Sequence, residues 1–387
     1  MINATSIALV SLSLFIWLFL LFFWGDFWRS NQYVNENYPK LESYPKVWAI
    51  VPARDEAEAI AQSLSSLLNQ KYLGNFNIAL VDDNSSDRTS EVARETASQL
   101  GKTEQLKIIS GKPLVPEWKG KLWAMKQGID YAKQHSPDYF LFTDADIYHH
   151  PENLIQLVTK AETENLDLVS LMVLLRCSSL WEKLLIPAFV FFFQKLYPFP
   201  WVNNPQKSIA AAAGGCILIS SKSLREIGGI AAIKDALIDD CSLAKAIKKQ
   251  NKNIWIGLTK KTISLRSYNN LINIWNTIAR TAFTQLNYSC LLLILTLIGM
   301  FIVYMVAPIG LVFGILIHNW LLVKIASVTL LLMTIAYIPT IKIYNLSITW
   351  ALALPASAFL YTLMTLDSAI KYYQGKGGAW KGRTYTE

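Results

Sequence analysis

Acidic residues occur in closely spaced pairs at several points of this chain, and one pair suits a divalent metal ion. Asp144 and Asp146 follow the apolar run 139–142, which reads as a strand. Alternate residues at the end of a strand point to the same side. Two carboxylates on one side of a sheet edge suit a hard divalent cation that also holds a diphosphate.

An Asp-x-Asp triplet alone is a weak signal, but two further acidic groups accompany it. The run Val81-Asp-Asp-Asn-Ser-Ser-Asp87 follows another apolar segment, and Asp239-Asp240 lie downstream of the triplet. The order of the three groups along the chain is therefore more informative than any one of them.

Short apolar strands alternate with helical segments through the middle of the chain. The sequence predicts strands at 47–51 (ended by Pro52), 77–81, 106–109, 139–142, 166–173 and 217–219, and helices at 57–69, 87–100, 122–134 and 151–164. This alternation predicts a parallel sheet with right-handed crossovers. Ligands of such sheets bind beyond the carboxyl ends of the strands, where Asp82, Asp83, Asp144 and Asp146 are expected.

Long apolar stretches flank this region and indicate a membrane protein. Hydrophobic residues make up 52% of the 387, which is high for a wholly soluble chain. Segments 7–24, 290–317, 320–340 and 348–364 approach the length that a bilayer core requires. The first of them reads as an uncleaved anchor, residues 1–28, because no Lys or Arg precedes it and no small-x-small site follows.

The positive residues around these stretches predict an orientation but leave one conflict open. Arg29, Lys40 and Lys46 follow the anchor, which places the N-terminus outside and the next domain in the cytosol. Three later spans (region 290–369) would place the tail outside, whereas the basic tail 370–387 favours the cytosol. Either one segment does not cross fully or the tail breaks the rule.

Charge and cysteine content exclude several other classes of protein. The net charge of +8 comes without any nucleic-acid-binding module, so we expect attraction to anionic lipids and no nucleic-acid partner. The four cysteines have no CxxC spacing and predict neither disulfides nor zinc. Segments 184–201 and 271–285 are aromatic or amphipathic and predict elements at the membrane surface, with burial in the domain core as the alternative.

With these motifs in this order, the chain resembles the family 2 glycosyltransferases over residues 45–290. The resemblance implies a GT-A fold, that is, an α/β nucleotide-sugar-binding domain (45–289) with a Rossmann-like mixed sheet, in a membrane-associated, inverting enzyme. Within the family, the chain looks most similar to the bacterial hopene-associated glycosyltransferases. That narrower likeness is carried by Trp118-Lys-Gly-Lys-Leu-Trp-Ala124, Asp239-Asp-Cys-Ser-Leu-Ala244, Gln285-Leu286 and the multispan tail.

The resemblance implies which residues meet the nucleotide sugar. Asp82 or Asp83 would accept a hydrogen bond from the uracil ring, and Lys119 or Lys121 would neutralise diphosphate charge. Solvated lysines are the alternative, and a tight bend is the alternative to sugar contact at Gly215. The residues implied for the donor are Pro52, Ala53, Arg54, Glu56, Asp82, Asp83, Lys121, Asp144, Ala145, Gly215, Asp239 and Gln285.

The same resemblance implies the reacting groups. Asp144 and Asp146 would hold Mn²⁺ or Mg²⁺ beside the diphosphate. Asp240 matches the catalytic aspartate that deprotonates the acceptor hydroxyl. Asp239 stands where the family usually has Glu. His149 and His150 are expected to shape the entry of the next helix rather than to bind metal.

The final family motif, Gln-x-x-Arg-Trp, is only partly present. Gln285 matches, but Tyr288 and Ser289 replace the Arg and Trp that processive polysaccharide synthases use. Arg280 is a further cation that we place near the diphosphate. The block from Trp380 to Arg383 has no assigned role.

These residues predict a bacterial inner-membrane enzyme that moves one sugar from a UDP-sugar to a membrane lipid hydroxyl, with the catalytic domain in the cytosol. A hopanoid acceptor is implied by the narrower resemblance, and other polyprenyl or glycerolipid acceptors stay open. The alternatives are a processive polysaccharide synthase and a catalytically silent nucleotide-binding scaffold. The sugar, the choice of metal, the number of spans and the oligomeric state stay open.

Overall fold

A computed structural model of the chain describes residues 2–35 and 38–376. The block from Trp380 to Arg383 and most of the predicted basic tail lie outside these residues. The described part consists of an α/β domain and of apolar helices from both ends of the chain.

The described residues form one eight-stranded mixed sheet. Its strands are β1 (Val47–Ala53), β2 (Phe76–Asp82), β3 (Leu106–Ser110), β4 (Tyr139–Phe142), β5 (Ile147–Tyr148), β6 (Leu168–Leu174), β7 (Ile217–Ser220) and β8 (Ile254–Ser264). Their order across the sheet is β3-β2-β1-β4-β7-β6-β8-β5. β1 is buried along its whole length, as expected for a central strand covered on both faces.

Helices cover the sheet and extend from both ends of the chain. In chain order they are α1 (Ile2–Phe23), α2 (Ala57–Leu68), α3 (Thr89–Gln99), α4 (Gly120–Lys133), α5 (Asn153–Glu164), α6 (Leu180–Leu196), α7 (Phe199–Val202), α8 (Ser221–Glu226), α9 (Asp239–Lys249), α10 (Leu271–Ala279), α11 (Ala282–Gln285), α12 (Cys290–Met300), α13 (Val306–Leu316), α14 (Trp320–Ile343) and α15 (Leu354–Tyr373). A π-helical turn, Phe301–Met305, joins α12 to α13.

The predicted mixed α/β fold is confirmed, with differences in detail. β3, β2, β1 and β4 are parallel, as the alternation of strands and helices predicts. β7 runs antiparallel to both β4 and β6, and β8 is a long strand that the sequence reading missed. Pro52 does not end β1, which continues to Ala53. Of the residues of β1, only Val47–Ile50 pair with β4. On the side of β1 that faces β4, Pro52 therefore lies beyond the hydrogen-bonded pairs, where its missing N–H leaves no hydrogen bond unmade.

The reversal at β7 determines which loops meet at the edge of the sheet. Ile217, the first residue of β7, pairs with Phe142, the last residue of β4. The turn before β7, with Gly214 and Gly215, therefore lies beside the segment that carries Asp144. A second antiparallel pair, Ile147 with Ser264, brings the end of β8 to the same place.

In the described part of the chain, four helical segments are long and apolar enough to cross a membrane. They are Ala4–Phe23, Cys290–Leu316, Trp320–Ile343 and Ile348–Tyr373. α1 packs against the others, and Trp17 Nε1 donates a hydrogen bond to the carbonyl of Val303 at 2.8 Å. Val303 lies in the π-helical turn, where the regular helical hydrogen-bond ladder is interrupted.

Both ends of the last apolar segment lie against the α/β domain. Ile343 and Tyr344, which precede it, pack into the core of that domain. At the other end of the segment, Trp275 Nε1 of α10 donates to Asp367 at 2.7 Å, and the ring of Tyr372 stacks on Tyr288 at 4.4 Å. The end of α14, just before the segment, therefore contacts the core of the sheet domain, and the last turns of the segment contact α10 and the loop before α12.

α6 lies between the α/β domain and the apolar helices. Val190 packs into the core of the sheet, while Leu185 and Phe191 pack with residues of the apolar helices. The proposed location of segments 184–201 and 271–285 at a membrane surface stays a prediction. The segment 271–285 is not one continuous helix, since α10 ends at Ala279 and α11 begins at Ala282.

Glu182 joins the start of α6 to the loop that follows β8. Its buried carboxylate accepts hydrogen bonds from the backbone N–H groups of Ser178 and Ser179 at 2.8 Å, and from that of Tyr268 at 2.7 Å. Burial opposes ionisation, but these donors outweigh it and hold the pKa of Glu182 below its usual value.

We expect Glu182→Ala to destabilise the protein by about 3 kcal/mol, because it leaves several buried N–H groups unpaired. The thermal unfolding midpoint of the detergent-solubilised chain should fall by several degrees. Glu226→Ala, which removes an exposed partner of Lys252, is the matched control and should leave the midpoint nearly unchanged. Equal midpoints for both variants would contradict the role given to Glu182.

Candidate active site

Five of the acidic residues singled out in the sequence line one cavity of about 300 Å³ at the carboxyl edge of β1 and β4. Twelve residues singled out in the sequence belong to its lining: Pro52, Arg54, Glu56, Lys119, Lys121, Asp144, Ala145, Asp146, Gly215, Asp239, Asp240 and Arg280. Six segments that are separated in the sequence therefore meet at one site.

Asp144 and Asp146 each contact a basic side chain. Asp144 Oδ1 lies 2.9 Å from Lys121 Nζ, and Asp146 Oδ2 accepts a hydrogen bond from Arg266 Nε at 2.9 Å. Asp144 is about one third exposed to the cavity, whereas Asp146 is buried. The Arg266 contact follows from the pairing of β5 with β8, through which Leu265 N also donates to the carbonyl of Asp146.

Each of these two cations is held by a second carboxylate. Lys121 Nζ also lies 3.1 Å from Asp239 Oδ2, and Arg266 Nη2 lies 3.2 Å from Glu56 Oε1. Burial favours the neutral form of Lys121, but Asp144 and Asp239 outweigh it and raise the pKa of Lys121 above its usual value. Lys121 therefore stays charged and links the Asp144 pair to the Asp239 pair.

Asp240 is the better oriented acid of the second pair. Its Oδ2 accepts a hydrogen bond from Gly214 N at 2.8 Å, and its Oδ1 from Cys241 N at 2.7 Å. Burial and the neighbouring Asp239 raise the pKa of Asp240 to about 6, against the opposing charge of Lys121. The carboxylate is therefore ionised at neutral pH but is a stronger base than an ordinary aspartate.

The two glycines before β7 allow the backbone to approach these groups. A Cβ at Gly214 would lie 3.3 Å from Asp240 Oδ2 and 3.4 Å from Lys121 Nζ. A Cβ at Gly215 would lie only 2.9 Å from Val173 Cγ2. A side chain at either position would crowd the cavity or its wall.

Four residues implied for nucleotide binding do not line the cavity. Ala53 is buried in β1. Asp82 Oδ1 caps the following turn by accepting from Ser85 N at 2.9 Å. Asp83 is fully buried behind Arg54, whose Nη1 donates to the Asp83 carbonyl at 2.7 Å. A direct contact between uracil and Asp82 or Asp83 therefore stays a prediction that this arrangement does not favour.

Gln285 and His149 also lie behind the site. Gln285 Nε2 donates to the Tyr197 hydroxyl at 2.5 Å. Both ring nitrogens of His149 are engaged, Nε2 with Thr143 Oγ1 at 2.8 Å and Nδ1 with Asn153 Nδ2 at 3.0 Å. Burial lowers the pKa of His149 to about 3, so the ring is neutral. This environment fits the structural role that we expect for His149.

The cavity also contains groups that the sequence analysis did not place there. Arg266 and Tyr268 follow β8, and no local pattern in the sequence indicated them. Phe189 and Phe193 of α6 form an aromatic wall. Arg280 lines the same side, and in the part of the chain that the structure describes its buried Nε has no hydrogen-bond partner.

The donor set fits a hard divalent cation only in part. Asp144 and Asp146 both line the cavity and offer carboxylate oxygens, the ligands that Mn²⁺ and Mg²⁺ prefer. Within residues 2–35 and 38–376, however, no group of three His, Cys, Asp or Glu side chains is placed to hold a metal ion. The remaining ligands would have to come from a bound diphosphate and water.

Comparison with known proteins identifies the fold family. Residues 48–228 match the family model described as Glycosyl transferase family 2. These residues form a glycosyl transferase family 2 domain. The match includes Asp144 and Asp146 and ends before Asp239 and Asp240. The narrower resemblance to hopene-associated enzymes stays a prediction.

Curated relatives of this family 2 domain match only parts of both chains. The dolichol-phosphate mannosyltransferase of Pyrococcus furiosus is 34% identical over 113 residues, 29% of each chain. The probable glycosyltransferase YdaM of Bacillus subtilis is 33% identical over 146 residues, 35% of this chain and 33% of that protein. The chain thus spans about a third of the length of either relative.

A solved structure shares the fold over nearly the whole chain. The mannosyltransferase of Pyrobaculum calidifontis, solved in complex with GDP-Man and Mn²⁺, has a TM-score of 0.53 and 17% identity. The likeness covers 96% of this chain and 98% of that one. It therefore extends beyond the family 2 domain to the apolar helices and confirms the predicted GT-A-like architecture.

Proposed function

We propose that this protein is an inverting glycosyltransferase that moves one sugar from a UDP-sugar to a hydroxyl of a membrane lipid. The observation that carries the proposal is that the Asp144–Asp146 pair and the Asp240 carboxylate line one cavity, in which Lys121 joins Asp144 to Asp239, the neighbour of Asp240. A metal-and-diphosphate site and a base side by side are what displacement at an anomeric carbon requires.

Asp240 is the proposed base. As the acceptor oxygen forms a bond to the anomeric carbon, its proton passes to the Asp240 carboxylate. The bond from that carbon to the diphosphate oxygen breaks, and its electron pair leaves with UDP. Attack from the face opposite the diphosphate inverts the configuration. The backbone N–H groups of Gly214 and Cys241 hold the carboxylate in place during the transfer.

Cationic groups of the cavity would stabilise the leaving diphosphate. Lys121 and Arg266 contact Asp144 and Asp146, and these two carboxylates would hold Mn²⁺ or Mg²⁺. The bound ion would supply positive charge to offset the negative charge that develops on the leaving group. The Pyrobaculum calidifontis structure was solved with GDP-Man, so a guanosine donor belongs in any test of the nucleotide.

The remaining side of the cavity favours a lipid acceptor. Its wall is apolar and aromatic, with Leu175, Phe189 and Phe193, and α6 continues from this wall into contact with the apolar helices. A lipid head group at this wall would leave its hydrocarbon chain beside those helices. A hopanoid fits this description, as do polyprenyl and glycerolipid acceptors, and Arg280 is available to an anionic group on any of them.

The two competing functions are less well supported. A processive synthase places an arginine and a tryptophan at positions 288 and 289, but here Tyr288 packs between Phe283 and Tyr372, away from the cavity. A silent scaffold is expected to lose at least one of Asp144, Asp146 and Asp240, and all three line the cavity.

We also propose a membrane arrangement in which the tail lies on the side that its basic residues favour. α1 and the helical hairpin Cys290–Leu316 with Trp320–Ile343 would cross the bilayer. We propose that the segment Ile348–Tyr373 returns to the side on which it begins, since the chain just before it packs into the core of the α/β domain and its last turns contact α10. The tail then lies on the cytosolic side with the domain, as its basic residues favour.

Removal of the base should abolish transfer and leave donor binding intact. We expect Asp240→Asn to lower kcat at least about 100-fold in membranes supplied with a panel of UDP-sugars and GDP-mannose, Mn²⁺ and a host lipid extract. Nucleoside diphosphate release is the measurement, and Asp235→Asn, an exposed neighbour, is the control. Release that survives in Asp240→Asn would overturn the assignment of the base. If the wild type releases nucleoside diphosphate from none of the donors, the silent scaffold is favoured.

The rate should depend on pH through Asp240. Since the carboxylate must be ionised and its pKa is raised to about 6, kcat/KM should rise with pH and level off above about pH 6. Asp239→Asn removes a like charge that raises this pKa, so the acidic limb should move to lower pH. The acidic limb should stay in place in Asp235→Asn. If it also stays in place in Asp239→Asn, that result would contradict the assignment of the limb to Asp240.

Cysteine labelling tests the membrane arrangement. In a chain whose four native cysteines are replaced by serine, single cysteines are introduced by His318→Cys at the tip of the hairpin, Gln374→Cys after α15 and Glu42→Cys before β1. An impermeant maleimide added to intact spheroplasts should label only the His318→Cys chain. The other two chains should be labelled only after permeabilisation. Labelling of Gln374→Cys from outside would show that the last segment crosses.

A further inference from the structure

Both carboxylates of the metal-binding pair already contact a cation that another carboxylate anchors. Lys121 lies between Asp144 (2.9 Å) and Asp239 (3.1 Å). Arg266 lies between Asp146 (2.9 Å) and Glu56 (3.2 Å). A divalent ion bound to Asp144 and Asp146 would therefore stand next to two like charges.

The protein by itself offers such an ion few ligands. In the described part of the chain, no third acidic, His or Cys side chain joins the pair in a metal-binding group. Repulsion from two cations and a coordination shell with at most two protein side chains both disfavour binding of the ion alone. A diphosphate reduces both effects, since its oxygens complete the coordination shell of the metal ion and offer the two cations a new partner.

We propose that the metal ion binds tightly only together with the nucleoside diphosphate, and that Lys121 is the residue that couples the two. This inference rests on the proposed nucleotide-sugar function. In the coupled state, the Lys121 ammonium group leaves Asp144 for a diphosphate oxygen and stays in contact with Asp239. Asp144 is then available to the metal ion.

Lys121 is better suited to this exchange than Arg266. Its ammonium group is a compact charge on a flexible stem and can rotate about its anchor on Asp239. It lies in the first turn of α4, where the helix N-terminus also favours a bound phosphate. The planar guanidinium group of Arg266 contacts two carboxylates, so we expect Arg266 to stay in place as a fixed positive charge.

Coupling of this kind is reciprocal, and it gives a consequence for turnover. If the diphosphate strengthens metal binding, the metal strengthens diphosphate binding by the same factor. After transfer, loss of either one returns Lys121 to Asp144 and weakens the hold on the other. The metal ion and the nucleoside diphosphate should therefore leave together.

The test measures Mn²⁺ binding rather than activity. The detergent-solubilised full-length chain is titrated with Mn²⁺, and the free ion is followed by electron paramagnetic resonance with and without UDP. In the wild type, UDP should tighten Mn²⁺ binding at least about tenfold. In Lys121→Gln, Mn²⁺ alone should bind several-fold more tightly than in the wild type, and the effect of UDP should fall to about threefold or less.

Two further variants serve as controls. Lys126→Gln removes another lysine of α4, one that pairs with Asp130 on its outer face, and should behave like the wild type. Lys121→Arg keeps the positive charge and should keep weak binding of Mn²⁺ alone, which guards against a loss of fold in Lys121→Gln. Thermal unfolding midpoints show whether each variant is folded.

A purely structural role for Lys121 predicts the opposite sign. If Lys121 only joins α4 to α9, its replacement should weaken Mn²⁺ binding both with and without UDP, and that result would overturn the proposal. Equal Mn²⁺ affinity with and without UDP in the wild type would also overturn it. If no UDP or GDP compound binds at all, the proposed donor fails as well, which is distinct from binding without coupling.

Discussion

The contact of Lys121 with Asp144 and Asp239 is the interaction on which the site depends. Five carboxylates line one cavity, and without cations among them their mutual repulsion would force several to take up protons. Lys121 and Arg266 each separate two of these carboxylates. The fifth, Asp240, keeps a raised pKa and is therefore a stronger base than an ordinary aspartate.

The antiparallel strand β7 makes this arrangement possible. A fully parallel sheet would bring only carboxyl ends to the ligand-binding edge, whereas β7 brings its amino end, with Gly214 and Gly215, against the end of β4. The Gly214 N–H then meets Asp240 at the start of α9. The pairing of β5 with β8 adds Arg266 at the same edge. The positions of Asp240 and of one of the two cations thus depend on strands that leave the parallel pattern.

The sequence predicted the parts of the site that are locally encoded. Asp144 and Asp146 follow a short apolar strand, and Asp240 begins a helix, so their places could be inferred from neighbouring residues. Arg266 could not, because its contact depends on the register between β5 and β8, which are far apart in the chain. Asp82 and Asp83 had the type and position of ligands, but one caps a turn and the other is buried behind Arg54. Chemical type alone does not distinguish a ligand from a residue that supports one.

α6 connects the cavity to the apolar helices. One side of α6 packs into the sheet domain, another packs against the apolar helices, and Phe189 and Phe193 face the cavity. Glu182 at its start holds the backbone of Tyr268, two residues after Arg266. A displacement of α6 by a lipid at the apolar helices would therefore reach the loop that holds Asp146 through Arg266. The aromatic wall of the cavity and the cation beside Asp146 therefore belong to one continuous set of contacts.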